Sequence, residues 1–332
     1  MIAIELEAEE YDLQKSFEPS FVSSLYENPK PGVWIKIAGT LGKALRLEQH
    51  GDWVAAFCST SIDEEHLKSL IVLETGLWYR DPSGFLEKVR APFRGVLEKL
   101  AEAYRGVRIP IAPHDAHYIL LSVLLSRRAN YEMVRRWCYA IWSRYDGNLE
   151  RLAYLKPGAL KAITRSYQLL EAVSVLRRIV RRFGSLRDWA RDAASKPPEL
   201  ARLALLSVKG IGPKLADSVI LSISRAPHFA PCDAHLARLV RRLGIIPGFR
   251  LPVKNLCARY ACVEDLAERY GLKPCPIRGS CLRGILTSRL GPLAGWFQTL
   301  AYLHGRSFCR ASKPDCDRCP LRRLCASSGK YN

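Results

Sequence analysis

The tetrad Gly210-Ile211-Gly212-Pro213 constrains this chain of 332 residues more than any other stretch in it. It sits within Leu203–Leu239, where apolar residues recur at helical spacing on both sides: Leu203 and Leu206 before it, Leu215, Val219 and Ile220 after it. Glycine enters positive φ without steric cost, so the tetrad allows a tight reversal. Pro213 suits the first position of a helix, where no backbone N–H is needed. The pattern predicts two helices joined by a hairpin over 203–223. Backbone N–H groups at such a hairpin, together with the N-terminus of its second helix, form an anion site that fits a DNA phosphate. Gly210 and Gly212 are the candidate contacts.

Charge agrees with a phosphate partner. Lys and Arg number 51 against 32 Asp and Glu, a formal net charge of +19. An excess of that size points to a polyanion, either nucleic acid or an acidic membrane. The distribution is uneven. The first thirty residues are acidic (Glu5, Glu7, Glu9, Glu10, Asp12, Glu18 and Glu27 against Lys15 and Lys30), whereas Arg127/Arg128, Arg135/Arg136, Arg177–Arg182 and Arg238–Arg242 are basic. A polyanion is expected on the second half, although arginines also serve in solvated faces and ion pairs. No apolar run approaches the ~20 residues that cross a bilayer, and no basic region followed by an apolar run marks a signal peptide. The reading is a cytoplasmic, nucleoid-associated protein with no membrane partner.

Eleven cysteines are unevenly placed. Four form Cys309-x6-Cys316-x2-Cys319-x5-Cys325, close enough in sequence to enclose one metal centre. Zinc is one option, and disulfides are another that the missing secretion signal disfavours. Cys257, Cys262, Cys275 and Cys281 form a looser set that reads most simply as buried thiols, with disulfides or a second metal site as alternatives. Cys58, Cys138 and Cys232 read as core residues.

Taken in order, residues 1–105 hold short strand-like segments at Ile2–Leu6, Val33–Ala38, Ala44–Leu47 and Trp53–Phe57. Helical patterns dominate from Pro110 onward, at Asp115–Leu125, Met133–Tyr145, Pro157–Gly184, Ser185–Ala194, Leu236–Leu243 and Trp296–His304. Pro197-Pro198 separates the earlier helices from the hairpin, and Pro247–Pro252 and Lys273–Pro276 are loop-like. No Walker loop, dinucleotide fingerprint or histidine metal spacing is present.

Two ionisable residues complete the central stretch. Lys214 follows the hairpin directly, and Asp233 stands nineteen positions later in Pro-Cys-Asp-Ala-His, just before the Leu236–Leu243 helix. This arrangement resembles the helix-hairpin-helix DNA glycosylase superfamily, which carries a lysine and an aspartate at these two places. Further stretches carry the resemblance. The four-cysteine spacing is similar to the iron–sulfur loop of endonuclease III and the MutY-type adenine glycosylases, which implies a 4Fe–4S cluster on Cys309, Cys316, Cys319 and Cys325. Lys214-Leu215-Ala216-Asp217 resembles the Lys-Val-Ala-Asp of 8-oxoguanine glycosylases, and the segments around Tyr11 and Leu45–Asp52 resemble the N-terminal domain of the 8-oxoguanine and alkylpurine enzymes. The turn Leu125-Ser126-Arg127-Arg128-Ala129 corresponds to the endonuclease III turn Leu-Ser-Ala-Gln-Ala, whose glutamine fills the gap left by an extruded base, but departs from it at that glutamine. Arg128 holds that place, as a wedge or as a phosphate contact.

The expected fold is mainly α, in three parts: an N-terminal α+β domain with an antiparallel sheet over 1–105, a helical catalytic domain over 106–304, and an iron–sulfur loop over 305–332. The expected function is a bifunctional DNA glycosylase and AP lyase in base excision repair. It would act as a monomer on double-stranded DNA with a damaged, oxidised base or an abasic site. Lys214 is the nucleophile: near a helix N-terminus, among cations and partly desolvated, its amine is lowered towards the neutral form that attacks. Asp233, as the cap of the following helix, takes the amine proton or stabilises the cationic sugar. Arg310 and Lys313, flanking the cysteines, are expected to hold phosphates. A single-function alkylpurine glycosylase and a non-catalytic DNA-binding hairpin are the alternatives.

Overall fold

In a computed structural model, residues 2–330 are described. By contacts the chain divides into two compact units, each assembled from separated segments. The first holds the chain up to Tyr79, Arg108–Ile211 and Ser222–Arg225; the second holds Arg80–Val107, Gly212–Leu221 and Ala226 onward.

The first unit carries a five-stranded antiparallel sheet in the order β1-β5-β4-β3-β2. The strands are β1 (Ile2–Glu7), β2 (Tyr26–Lys30), β3 (Val33–Lys36), β4 (Leu45–His50) and β5 (Trp53–Cys58). Strand alternation explains the acidic N-terminus. Ile4 and Leu6 of β1 face the core, while Glu5 and Glu7 face solvent. Four strands fall where their apolar alternation predicts. β2, with the sequence YENPK, lacks that signal. It is an edge strand with a register shift between Glu27 and Lys30, the setting in which a strand tolerates Pro29.

Behind the sheet the unit is helical. The Ala116–Leu125 helix is buried along its length, as its uniformly apolar sequence requires. It packs against the Tyr167–Phe183, Leu186–Ser195 and Tyr131–Tyr145 helices. The apolar run expected over Pro157–Gly184 is two helices, Pro157–Ile163 and Tyr167–Phe183, because Ser166 caps the second by accepting the Gln168 N–H. Pro198, expected to separate, instead opens the helix Pro198–Leu206 at its first turn. The Glu64–Thr75 helix, unforeseen among the strands, is capped by Asp63 and ended by Gly76 at φ +89°.

A buried ion cluster joins sheet to helices inside this unit. Lys36 of β3 reaches Glu74 at 2.5 Å and Asp115 at 2.8 Å, all three essentially without exposure. Burial alone would discharge Lys36, but the two carboxylates outweigh it and hold the ammonium above its usual range. Burial pushes Glu74 up in turn, and the Tyr26 hydroxyl donates to it.

The second unit is built on the helices Phe93–Ala103, Ala234–Leu243, Leu282–Leu290 and Ala294–Ser307. The Ala294–Ser307 helix packs against the other three. A Cβ at Gly295 would lie 2.7 Å from the Pro227 carbonyl oxygen, and one at Gly305 would collide with the His235 ring. These two glycines let the helix lie close along the segment that carries Asp233. Over residues 247–281 the buried apolar side chains among those described are Cys257, Ala261, Cys262, Ala267, Cys275 and Cys281. The looser cysteine set is thus a group of buried thiols, and no disulfide forms among the eleven cysteines. Among the described residues no helix is long and apolar enough to cross a membrane.

Candidate active site

The hairpin forms where the sequence requires it, and its two glycines differ. Gly210 has φ +99°, and a Cβ there would lie 2.8 Å from Val175 Cγ2, so both backbone and packing demand glycine. Gly212 is not left-handed, and an added Cβ would meet nothing within 4 Å among the described residues. Its missing side chain leaves room for something outside the chain. Arginines of the preceding helices hold the hairpin's carbonyls. Arg127 donates to the Gly210 oxygen and Arg178 to the Lys209 oxygen at 3.1 Å, while Arg182 donates to the Ser207 hydroxyl. Three guanidiniums expected to face a polyanion are therefore spent, at least in part, on shaping the loop.

Arg128, beside the pinned Arg127, is its opposite. It is exposed and has no hydrogen-bond or ion-pair partner among the described residues. Its φ of +50° is a conformation that costs a non-glycine residue about 1 kcal/mol or more. Strain of this kind at the tip of a turn is a feature of functional positions.

Lys214 is the second residue of the Pro213–Ile223 helix and is half-buried. One turn on, Asp217 is fully buried and accepts from Arg283 Nε at 3.1 and 3.0 Å. Burial works against the Arg283 charge, but Asp217 more than offsets it. Arg283 also lies over the Phe229 ring at 5.2 Å. In the sequence Asp217 is one letter of a resemblance; its partner, 66 residues away, carries no local signal.

Asp233 caps the Ala234–Leu243 helix as expected, Oδ1 accepting the Leu236 N–H at 2.8 Å. Oδ2 accepts from Gln298 Nε2 at 3.3 Å, a partner the sequence reading missed. Both carboxylate oxygens are oriented, and the helix dipole favours the charge at this end. Burial, followed by the nearby Asp217 charge, pushes the adjacent Cys232 thiol well up and keeps it protonated. It is a neighbour of the site and not a nucleophile.

At the other end of the same helix lies the cysteine loop. Cys309, Cys316, Cys319 and Cys325 line one cavity of about 30 Å³, together with Leu239, Leu243, His304, Phe308 and Leu321. Arg242 donates to Cys309 Sγ at 3.3 Å and to the Arg310 oxygen at 2.8 Å, and Arg238 donates to the Cys309 oxygen at 2.8 Å. His304 is fully buried, its Nε2 at 3.4 Å from Cys319 Sγ and its Nδ1 at 3.3 Å from the Tyr104 hydroxyl. Burial lowers this imidazole to about 4, so it is neutral. Burial, then the charges of the other three cysteines, raises Cys319 to about 11. Among the described residues no three His, Cys, Asp or Glu side chains meet where one metal ion could be held. Arg310 and Lys313 are exposed on the loop, whereas Arg318 and Arg322 pair with Asp315 and Asp317.

These features were compared with known proteins. No family model matches the chain. Its fold is that of the helix-hairpin-helix DNA glycosylases. The 8-oxoguanine glycosylase/lyase of Clostridium acetobutylicum superposes with a TM-score of 0.67 over 91% of this chain and 97% of that one, at 16% identity. The chain is also similar in sequence to the DNA glycosylase/AP lyase ROS1 of Arabidopsis thaliana, 28% identical over 171 residues, 50% of this chain and 11% of that protein. Endonuclease III of Rickettsia conorii is 27% identical over 207 residues, 62% of this chain and 82% of that protein. The chain thus spans about a tenth of the plant relative's length and most of the bacterial one's.

Proposed function

We propose that this chain is a bifunctional DNA glycosylase and AP lyase of base excision repair, acting as a monomer on double-stranded DNA that holds an oxidised base or an abasic site. The observation that carries the reading is the presence in one unit of Lys214, at the start of the helix after the hairpin, and Asp233, whose carboxylate is oriented by two donors. The open space at Gly212 supports phosphate approach at that helix's N-terminus. Lys214 passes its proton to a base such as Asp233, and the neutral amine attacks the anomeric carbon of the flipped nucleotide. The glycosidic bond breaks and its electrons leave with the base, which takes up a proton. The imine between Lys214 and the opened sugar then acidifies the neighbouring carbon, and β-elimination cuts the strand.

Four thiols around one cavity are a donor set that fits a 4Fe–4S cluster. A single zinc ion would draw its sulfurs to about 3.8 Å of one another, given Zn–S bonds of ~2.3 Å. These thiols ring a space instead of meeting at a point. When bound, the cluster supplies a rigid crosslink among Cys309, Cys316, Cys319 and Cys325 and leaves no open position for substrate. Arg310 and Lys313 then stand on a fixed loop as phosphate contacts.

Borohydride reduction during incubation with abasic duplex tests the reading. A covalent adduct in the wild-type chain that is absent from Lys214→Gln is the expected result. Base release without an adduct would point to a single-function glycosylase, and binding with neither would leave a DNA-binding module.

A further inference from the structure

Besides its cysteines the cavity is lined by the polar residues Arg242, His304, Asp315 and Ser327, of which Asp315 pairs with Arg318. His304 and Arg242 each stand at hydrogen-bond distance from a ligand sulfur, 3.4 Å to Cys319 and 3.3 Å to Cys309. We infer that His304 and Arg242 tune the cluster held by this loop, each donating an N–H to a coordinating sulfur, with Tyr104 fixing the histidine tautomer that makes this possible. The inference rests on the cluster reading above and adds an electronic role that the reading does not contain.

The tautomer follows from the donor inventory. A metal-bound thiolate has no proton to give, so beside a ligated Cys319 the imidazole must present Nε2–H. Nδ1 is then an acceptor, and the Tyr104 hydroxyl at 3.3 Å is placed to donate to it. Both ring nitrogens are thereby satisfied, although His304 has no exposure to water. A leucine would fill this position without the cost of burying an imidazole. What histidine adds is one directed N–H.

The physical effect has a sign. Hydrogen bonds to cluster sulfurs withdraw electron density, which favours the reduced, more negative state. Arg242 adds a full positive charge to the same side. It also binds the Arg310 oxygen and is thereby kept near Cys309 instead of turning to solvent. His304 is fully buried, so its donor is not screened as it would be at the surface. The cluster is therefore poised at a higher potential than its four thiolates alone would set.

The test uses the full chain, purified without oxygen. Iron and acid-labile sulfide are assayed first, and an iron-free wild-type chain would refute the cluster reading itself before any variant is made. Reduction potential is then measured by mediated titration with electron paramagnetic resonance. His304→Leu should lower the potential enough to change the reduced-to-oxidised ratio at least tenfold at fixed potential, a 59 mV shift for one electron. His304→Gln, which restores a donor, should recover most of the loss. An unchanged potential in an iron-loaded His304→Leu would overturn the inference. If that variant does not retain iron, Tyr104→Phe and Arg242→Gln carry the test: both should shift the potential downward, and wild-type values in both would overturn it.

Discussion

At the scale of single residues, the proposed function divides its chemistry between Lys214 and Asp233. Lys214→Gln should abolish base excision and adduct formation while leaving duplex affinity within about twofold, since the phosphate contacts lie elsewhere. A gel-shift assay beside a trapping assay checks both halves. Asp233→Asn keeps the helix cap, because an amide oxygen can still accept the Leu236 N–H, and should slow excision on the order of a hundredfold or more in single-turnover kinetics with little change in Tm. Arg128 separates from Arg127 at this scale. Arg128→Ala should weaken binding to an abasic duplex more than to intact DNA, if its side chain enters the vacated stack. Equal losses on the two duplexes would make it a phosphate contact only.

The candidate residues differ in how far the chain announced their places in the fold. Lys214 and the cap role of Asp233 were legible because each sits at a fixed offset from a turn or a helix start. Gln298 and Arg283 were not, because their partners lie 65 and 66 positions away and no periodicity links them. The two arginines of the turn at 126–129 look alike in sequence. Only the fold shows that Arg127 is committed to the Gly210 carbonyl while Arg128 is held out at positive φ.

At the scale of elements, the hairpin and the ion cluster make opposite kinds of prediction. Gly210→Ala forces a Cβ into a left-handed turn against Val175 and should cost about 1–3 kcal/mol, seen as a lower Tm together with weaker DNA binding. Gly212→Ala has room for its Cβ and should keep the wild-type Tm while losing DNA affinity. Lys36→Met removes the cation between Glu74 and Asp115 and should cost about 3–5 kcal/mol near neutral pH. Glu74 already titrates above the usual carboxylate range, so the loss should shrink as pH falls and that carboxyl takes up a proton. Urea melts of the variant across pH 4–8 measure this. β2 and the split at Thr164–Ser166 were illegible for a shared reason: one edge strand with a proline and one serine cap carry little of the apolar pattern that marks the other elements.

For the whole molecule, the +19 charge would govern how the proposed DNA substrate is found and held. Affinity for undamaged duplex should fall with salt at about −0.9 in log–log slope per phosphate neutralised. Replacing Arg310 and Lys313 together should flatten that slope by up to about two units and leave lesion preference unchanged. Titrations at several salt concentrations with matched and lesion-bearing duplexes decide it. The net charge overstates what is available, since Arg127, Arg178, Arg182 and Arg242 are engaged with backbone or side chains of their own fold. Two units built from interleaved segments leave no trace in composition, because a chain crossing between them looks the same as one that stays.

The Ala234–Leu243 helix begins at Asp233 and ends laced to the cysteine loop through Arg238 and Arg242. Ten residues of one rigid rod therefore connect the proposed proton acceptor to the proposed metal anchor. A chain lacking the proposed cluster would keep its lysine, but its loop phosphate contacts would be unanchored and its aspartate would sit on a rod whose far end is loose. Removing iron should therefore weaken duplex binding and slow excision together, through one helix that touches both ends of the proposed machinery.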